Sequence, residues 1–234
     1  GRAAMAGPLT VQTPDGSFSG YLALPKAGKG PGLVIAQEIF GVNRVMRKVA
    51  DAFVAQGFAA FVPDLFWRFR PGIELGYSDA DWKKAGAYYQ AFDVDKGVED
   101  LQAAITALRK HPAVTGKVGV VGYCLGGLLA YLCACRTESD ATVGFYGVGI
   151  ESKLGETKNI KKPTLLHFAE NDKFVPLAAI QKIEAALKGN AFAVIHRYPG
   201  VDHAFARVGE AHYRAEAAEL ANRRTFEFLK RNLF

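Results

Sequence analysis

Short unbroken apolar runs alternate along this chain with longer stretches in which apolar residues recur every three or four positions. Residues 33–36 and 58–62 are runs of the first kind, and between them residues 43–56 place Val45, Met46, Val49, Phe53 and Val54 at helical spacing. The alternation predicts a helix over 94–109, a strand over 118–121, a helix over 125–135 and a strand over 141–146. A strand over 164–169, a helix over 177–187, a strand over 192–198 and a last helix over 213–229 follow. Each strand is apolar on both faces, as a strand covered by helices on both sides must be. The pattern therefore predicts an α/β fold with a mostly parallel central sheet. Ahead of it, residues 9–13 and 17–23 read as an opening hairpin turned at Pro14-Asp15-Gly16, where a fixed φ is followed by a residue tolerant of positive φ.

Residues 66–91 break the alternation. They carry Trp67, Tyr77, Trp82, Tyr88 and Tyr89 with no clear strand, which suits either the wall of a site or a surface excursion packing its own aromatics.

Length and composition narrow the picture. With 234 residues, half of them apolar, the chain is expected to form a single domain over 1–234, with residues 1–7 a tag remnant or a disordered N-terminus. Residues 1–7 have no apolar core that would make a secretory signal, and no run is long and apolar enough for a membrane span. Three cysteines, two of them (Cys133 and Cys135) inside a helical stretch, do not make a disulfide framework, so a cytoplasmic protein is expected. The net charge of +6 favours anionic partners. Arg214, Arg223, Arg224, Lys230 and Arg231 alternate with glutamates on the last helix, without the aromatic interleaving of a nucleic-acid reader. The expected partner is a small anionic molecule, with neither nucleic acid nor membrane. A monomer is expected, with a dimer as the alternative.

The chemistry concentrates at Gly122-Tyr123-Cys124-Leu125-Gly126-Gly127, between a strand and an apolar helix. A chain that reverses this sharply strains its nucleophile and needs small neighbours, the pattern of a nucleophile elbow with Cys in place of Ser. The helix N-terminus favours a thiolate and a developing oxyanion, with the Leu125 N–H as one donor. A phosphate-binding loop fits less well, because neither the dinucleotide fingerprint nor a following Lys-Ser/Thr is present. An acid and then a base are expected after the nucleophile, and Asp172 and His203 occur in that order, each just beyond a strand. His203 would take and return the thiol proton while Asp172 orients its ring. Glu170 and Asp202 are alternative acids; His111, His167, His196 and His212 read as structural. The loop Gln37-Glu38-Ile39-Phe40-Gly41-Val42-Asn43 offers the Ile39 N–H as a second oxyanion donor. It also carries Glu38, a carboxylate that is either a cap or a partner of the thiol.

These segments, with Pro63-Asp64-Leu65, Tyr146-Gly147-Val148-Gly149 and His203-Ala204-Phe205-Ala206-Arg207, resemble in order the dienelactone hydrolase (carboxymethylenebutenolidase) family over nearly the whole chain. The resemblance implies an α/β-hydrolase fold with about eight strands and a Cys124, His203, Asp172 triad. It also implies that Glu38 controls the resting thiol and that Arg207 holds a substrate carboxylate, within a role in aromatic-compound degradation. Phe40, Trp82, Tyr89, Tyr123 and Tyr146 are the expected pocket aromatics. The implied activity opens an activated enol lactone through a thioester; a broader esterase or thioesterase is the alternative, and a non-catalytic binder of small acids a third. No metal or organic cofactor is implied. The chain departs from the family at Trp82, followed by Lys83 and Lys84, where a second carboxylate-binding Arg is usual, and at Ala204, where Ser is usual.

Overall fold

Leu33, Val34, Ile35 and Ala36 are all fully buried, yet they serve two different cores. Leu33 and Ile35 join one apolar cluster with Met46, Phe53 and Phe228; Val34 and Ala36 join the other with Leu101, Leu129 and Ile180. Val120 and Val121 divide in the same way. Side chains that alternate about a strand with both faces dry require helices on both sides.

The computed structural model describes residues 4–5 and 8–234. In chain order it contains β1 (Ala4–Met5), β2 (Val11–Thr13), β3 (Gly16–Phe18), β4 (Gly20–Leu24), β5 (Gly30–Ala36), α1 (Arg44–Ala55), β6 (Ala59–Pro63) and α2 (Asp79–Ala91). There follow α3 (Val94–Arg109), β7 (Val114–Tyr123), α4 (Leu125–Arg136), β8 (Thr142–Phe145), β9 (Thr164–Ala169), α5 (Leu177–Leu187), β10 (Ala193–Tyr198) and α6 (Ala215–Leu233). Eight strands form one sheet in the order β1-β4-β6-β5-β7-β8-β9-β10, with β2 and β3 a separate hairpin. From β6 to β10 every neighbour is parallel; β4 and β1 are antiparallel at one edge. The expected mostly parallel α/β fold is present. The order reverses at β5, flanked by β6 and β7, so the loops after β5 and β7 diverge and open a crevice at the carboxyl edge.

Two local expectations need correction. Residues 17–23 do not make one strand: β3 ends at Phe18 and β4 begins at Gly20, where a Cβ would overlap the Val62 carbonyl oxygen. Residues 66–91 include a full helix, α2, whose start is marked by Ser78 accepting from the Asp81 N–H and by Asp79 and Asp81 in its first turn. Ala4 and Met5 pair with Leu24 and Ala23 at the antiparallel edge, and the other residues of 1–7 lie outside the described residues.

The approach of α4 to the sheet is set by glycine. A Cβ at Gly122 would overlap the Gly126 carbonyl, and one at Gly126 would overlap the Ala36 carbonyl. Gly122→Ala should therefore cost roughly 3 kcal/mol or more of unfolding free energy. Gly86, inside α2 with nothing within 4 Å of its missing Cβ, is the contrast: Gly86→Ala should gain about 0.5–1 kcal/mol. Urea denaturation of both variants checks the pair, and equal effects would contradict the packing described.

Candidate active site

Cys124 sits between β7 and α4 with φ 60° and ψ −115°, a left-handed backbone for a non-glycine residue. Its N–H donates to the Phe145 carbonyl at 3.0 Å and its carbonyl accepts from Gly127 at 2.9 Å, so the strain is held from both sides. The side chain is buried at the helix start, where the Leu125 N–H has no protein acceptor among the described residues. The Ile39 N–H, in the loop after β5, has none either. Two amides without a protein acceptor among the described residues thus fall at the switch point of the sheet, one directly after Cys124 and one in the loop after β5.

Asp172, past β9, accepts on one oxygen from the N–H groups of Phe174 (2.7 Å) and Val175 (3.1 Å). Its other oxygen meets His203 Nδ1 at 2.7 Å. That leaves Nε2 for the Cys124 side. Burial alone would discharge the ring, but the neighbouring Cys124 sulfur and the hydrogen bond that Nδ1 donates to Asp172 outweigh it and push His203 up to about 10. Cys133 and Cys135 differ: burial pushes their thiols up to about 12 and about 11, which keeps them protonated and inert.

The hydrogen-bond partner of Glu38 is Arg207. The Glu38 carboxylate has Arg207 Nε 3.1 Å from both oxygens and Nη2 2.7 Å from one, and both side chains are buried. The expected sharing of a proton with Cys124 is not the arrangement seen. An ion pair within hydrogen-bond reach outcompetes a thiol as partner for a buried carboxylate. Burial opposes the charge on Arg207, and Glu38 more than offsets it, raising the guanidinium above its usual range. The guanidinium also faces the rings of Phe40 and Tyr77 at 5.2 Å each and Trp82 at 5.7 Å. Nη1 makes no hydrogen bond to the protein among the described residues.

The loops are tied where function requires. Gln37 accepts from the Leu65 N–H (3.0 Å), and Asn43 caps α1 while its amide reaches the Leu75 carbonyl and the Tyr77 hydroxyl, each at 3.0 Å. Gly41, at φ 78°, allows the chain to pass the Ile73 carbonyl. Among the described residues no three His, Cys, Asp or Glu side chains converge as a metal site, and no helix is long and apolar enough to cross a membrane.

Residues 18–233 match the dienelactone hydrolase family. The chain belongs to that family. A protein of Azospirillum brasilense is 49% identical over 222 residues, covering 94% of this chain and 95% of its own. The carboxymethylenebutenolidase of Pseudomonas putida is 43% identical over 224 residues, covering 94% of each. A solved protein from Klebsiella pneumoniae superposes with a TM-score of 0.84 over 96% of this chain and 97% of its own, at 24% identity, a likeness of fold. The architecture is the α/β-hydrolase fold of this family.

Against that background, the structure brings most of the sequence-predicted residues together. Tyr146, with φ 39°, packs its ring edge on His203 at 4.9 Å, and Tyr123 stacks on Phe145 at 4.7 Å. Tyr89 is half-buried and feels the Cys124 charge. Trp82 packs on Phe40 at 4.8 Å beside Arg207, whereas Lys83 and Lys84 lie exposed on α2. Glu170 is paired with Arg197 at 3.1 Å, which removes it as the acid, and Asp202 makes no hydrogen bond to His203. One neighbour was not expected: Phe174 is 58% exposed and edges His203 at 5.0 Å, and its only signal in the sequence is its place two residues after the acid. His212, expected to be structural, has Nδ1 3.0 Å from the His203 carbonyl oxygen.

Because His203 is raised above its unfolded value of about 6.5, its protonated form contributes stability that is complete below pH ~6.5 and is lost as pH rises through about 10. NMR titration should find the ring still protonated at pH ~8 and its pKa lowered in Cys124→Ala, which removes a negative partner. Titration near the free value in both proteins would refute the coupled pair.

Proposed function

We propose that this protein opens an activated enol lactone by nucleophilic catalysis at Cys124, as a carboxylic ester hydrolase that needs no metal or organic cofactor. What supports this most is the convergence of a strained Cys124, two unpaired N–H groups and a His203–Asp172 couple at one crevice. The name of the Pseudomonas putida relative specifies the lactone class.

The thiolate attacks the lactone carbonyl carbon, and the carbonyl oxygen becomes an oxyanion received by the Ile39 and Leu125 N–H groups. The ring C–O bond breaks and the enolate leaves, taking the proton held by His203. Water, deprotonated by the now neutral His203, then cleaves the thioester and frees Cys124. A thiolate leaves more readily than an alkoxide, so ordinary esters fall back to starting material from the tetrahedral state. An enolate competes with sulfur, which makes a cysteine nucleophile suited to activated acyl groups.

Arg207 is the carboxylate reader in this reading. Its guanidinium faces the aromatic cluster of Phe40, Tyr77 and Trp82, Nη1 has no protein partner among the described residues, and a substrate carboxylate shares the guanidinium with Glu38. With Trp82 standing where the family has a second Arg, one guanidinium sets the acid preference, and a broader range of activated esters is the second reading that this feature favours. The reaction takes place in a cytoplasmic protein.

Cys124→Ala should abolish turnover, while Cys133→Ala keeps it. Arg207→Ala should lower kcat/KM for the acidic lactone by about one to two orders of magnitude, corresponding to roughly 1.5–3 kcal/mol for a charge-assisted pair, and should spare its neutral methyl ester. Assay of both substrates in each variant decides the matter. An unchanged acid-to-ester ratio would mean that Arg207 does not read the carboxylate. Failure of iodoacetamide to label Cys124, together with no turnover, would leave a binding protein instead.

A further inference from the structure

Behind the catalytic crevice, on the α1 and α6 side of the sheet, lies a second cleft of ≈ 220 Å³. Val49 and Phe53 of α1 and Phe226 of α6 form its apolar walls, with the Phe53 and Phe226 rings edge to face at 5.2 Å. Arg44 and Lys48 stand at its rim, and no carboxylate lines it. Neither cation has an ion-pair partner among the described residues, although Arg47 between them pairs with Glu74.

Two features of α1 make these cations costly where they are. They lie four residues apart on one helix face, where like charges repel. They also belong to the first turns of a helix with no acidic residue there, so the helix dipole opposes them. A bound anion relieves both. The floor adds a third feature: Tyr123 lines the cleft, and its hydroxyl has no protein hydrogen-bond partner among the described residues.

The cleft does not stand apart from the chemistry. Tyr123 and Ala206 also line a void of ≈ 10 Å³ that reaches Glu38 and Arg207, room for about one water. Tyr123 immediately precedes the nucleophile, and Ala206 immediately precedes Arg207. A ligand seated against both presses on the strand end and on the loop that carry the site.

We propose that this cleft is an effector site for a small amphipathic carboxylate, its apolar body between α1 and α6 and its charge on Arg44 and Lys48. The volume falls below the ~300–1,000 Å³ of drug-sized pockets, which sets the size class. Occupancy is transmitted to Cys124 and Arg207 through Tyr123 and Ala206.

Octanoate is the probe. Calorimetry on the wild type should find it bound more tightly than about 1 mM, and the double variant Arg44→Gln, Lys48→Gln should weaken it about tenfold or more. Ala52→Trp, at an exposed position of α1 on the cleft wall, should also exclude it while keeping both charges. In Cys124→Ala binding should persist, since the cleft lies outside the triad. In steady-state assays octanoate should lower kcat in the wild type and leave the two cleft variants untouched. Absence of binding at millimolar octanoate, unchanged affinity in either cleft variant, or strictly competitive inhibition would overturn the proposal.

Discussion

The close contact of α4 with the ends of β5 and β7 governs the rest of this molecule. Carbonyl oxygens of Ala36 and Gly126 occupy the space that side chains at Gly126 and Gly122 would need. Because the helix start is pressed onto the sheet, Cys124 is held at φ 60° in a buried position at the strand end. The same contact leaves the Leu125 N–H unpaired and brings it toward the loop that carries the Ile39 N–H. A nucleophile, its anion-stabilising dipole and its oxyanion donors thus follow from one steric condition rather than from separate features. The condition is backbone against backbone, so side-chain repacking has no means of relaxing it.

That origin explains what the sequence could disclose. The elbow was legible because the steric demand falls on adjacent glycines, and the buried strands because their apolar runs are local. His203 and Asp172 were legible by chain order and by their places after strands. Glu38 and Arg207 are 169 positions apart, and nothing in their spacing says that they form a buried pair. A carboxylate at a strand end has several partners available in principle, and geometry alone picks one. Helix α2 escaped for another reason. Of its residues only Ala85 is buried, so it has no apolar stripe, and Trp82 and Tyr88 pack sideways onto Phe40 and Phe66. Periodicity reports burial against a core; a helix laid over a site has little core to report.

The polar interior divides into groups fixed by structure and groups free to react. His167 bonds Tyr198 and Thr225 at 2.8 Å each, and burial holds it well below the usual imidazole range, so it stays neutral and ties β9 to β10 and α6. His203, also buried, is driven the other way because the Cys124 sulfur lies on one side and the Asp172 carboxylate on the other. Two histidines of similar burial reach opposite protonation states through their partners, not their depth. Asp172 accepts from three donors on two oxygens, two of them backbone N–H groups on one oxygen, and this bonding is what holds the imidazole in one orientation.

The buried Glu38–Arg207 pair is the least economical element of the site, and its cost indicates its purpose. Removing two charges from water is repaid by their attraction only when geometry and further contacts are favourable, and apolar side chains of equal volume would stabilise a fold at least as well. Here the guanidinium gains ring faces from Phe40, Tyr77 and Trp82 but keeps Nη1 unbonded. A pair built for stability alone would satisfy every donor. One that leaves a donor free, beside a crevice holding the strained Cys124, keeps a desolvated positive charge ready for an incoming anion while Glu38 prevents it from standing uncompensated in the empty protein. In the proposed reading of Arg207, selectivity for an acidic substrate arises from competition between two carboxylates for one guanidinium, which requires a resting pair strong enough to fold and weak enough to share.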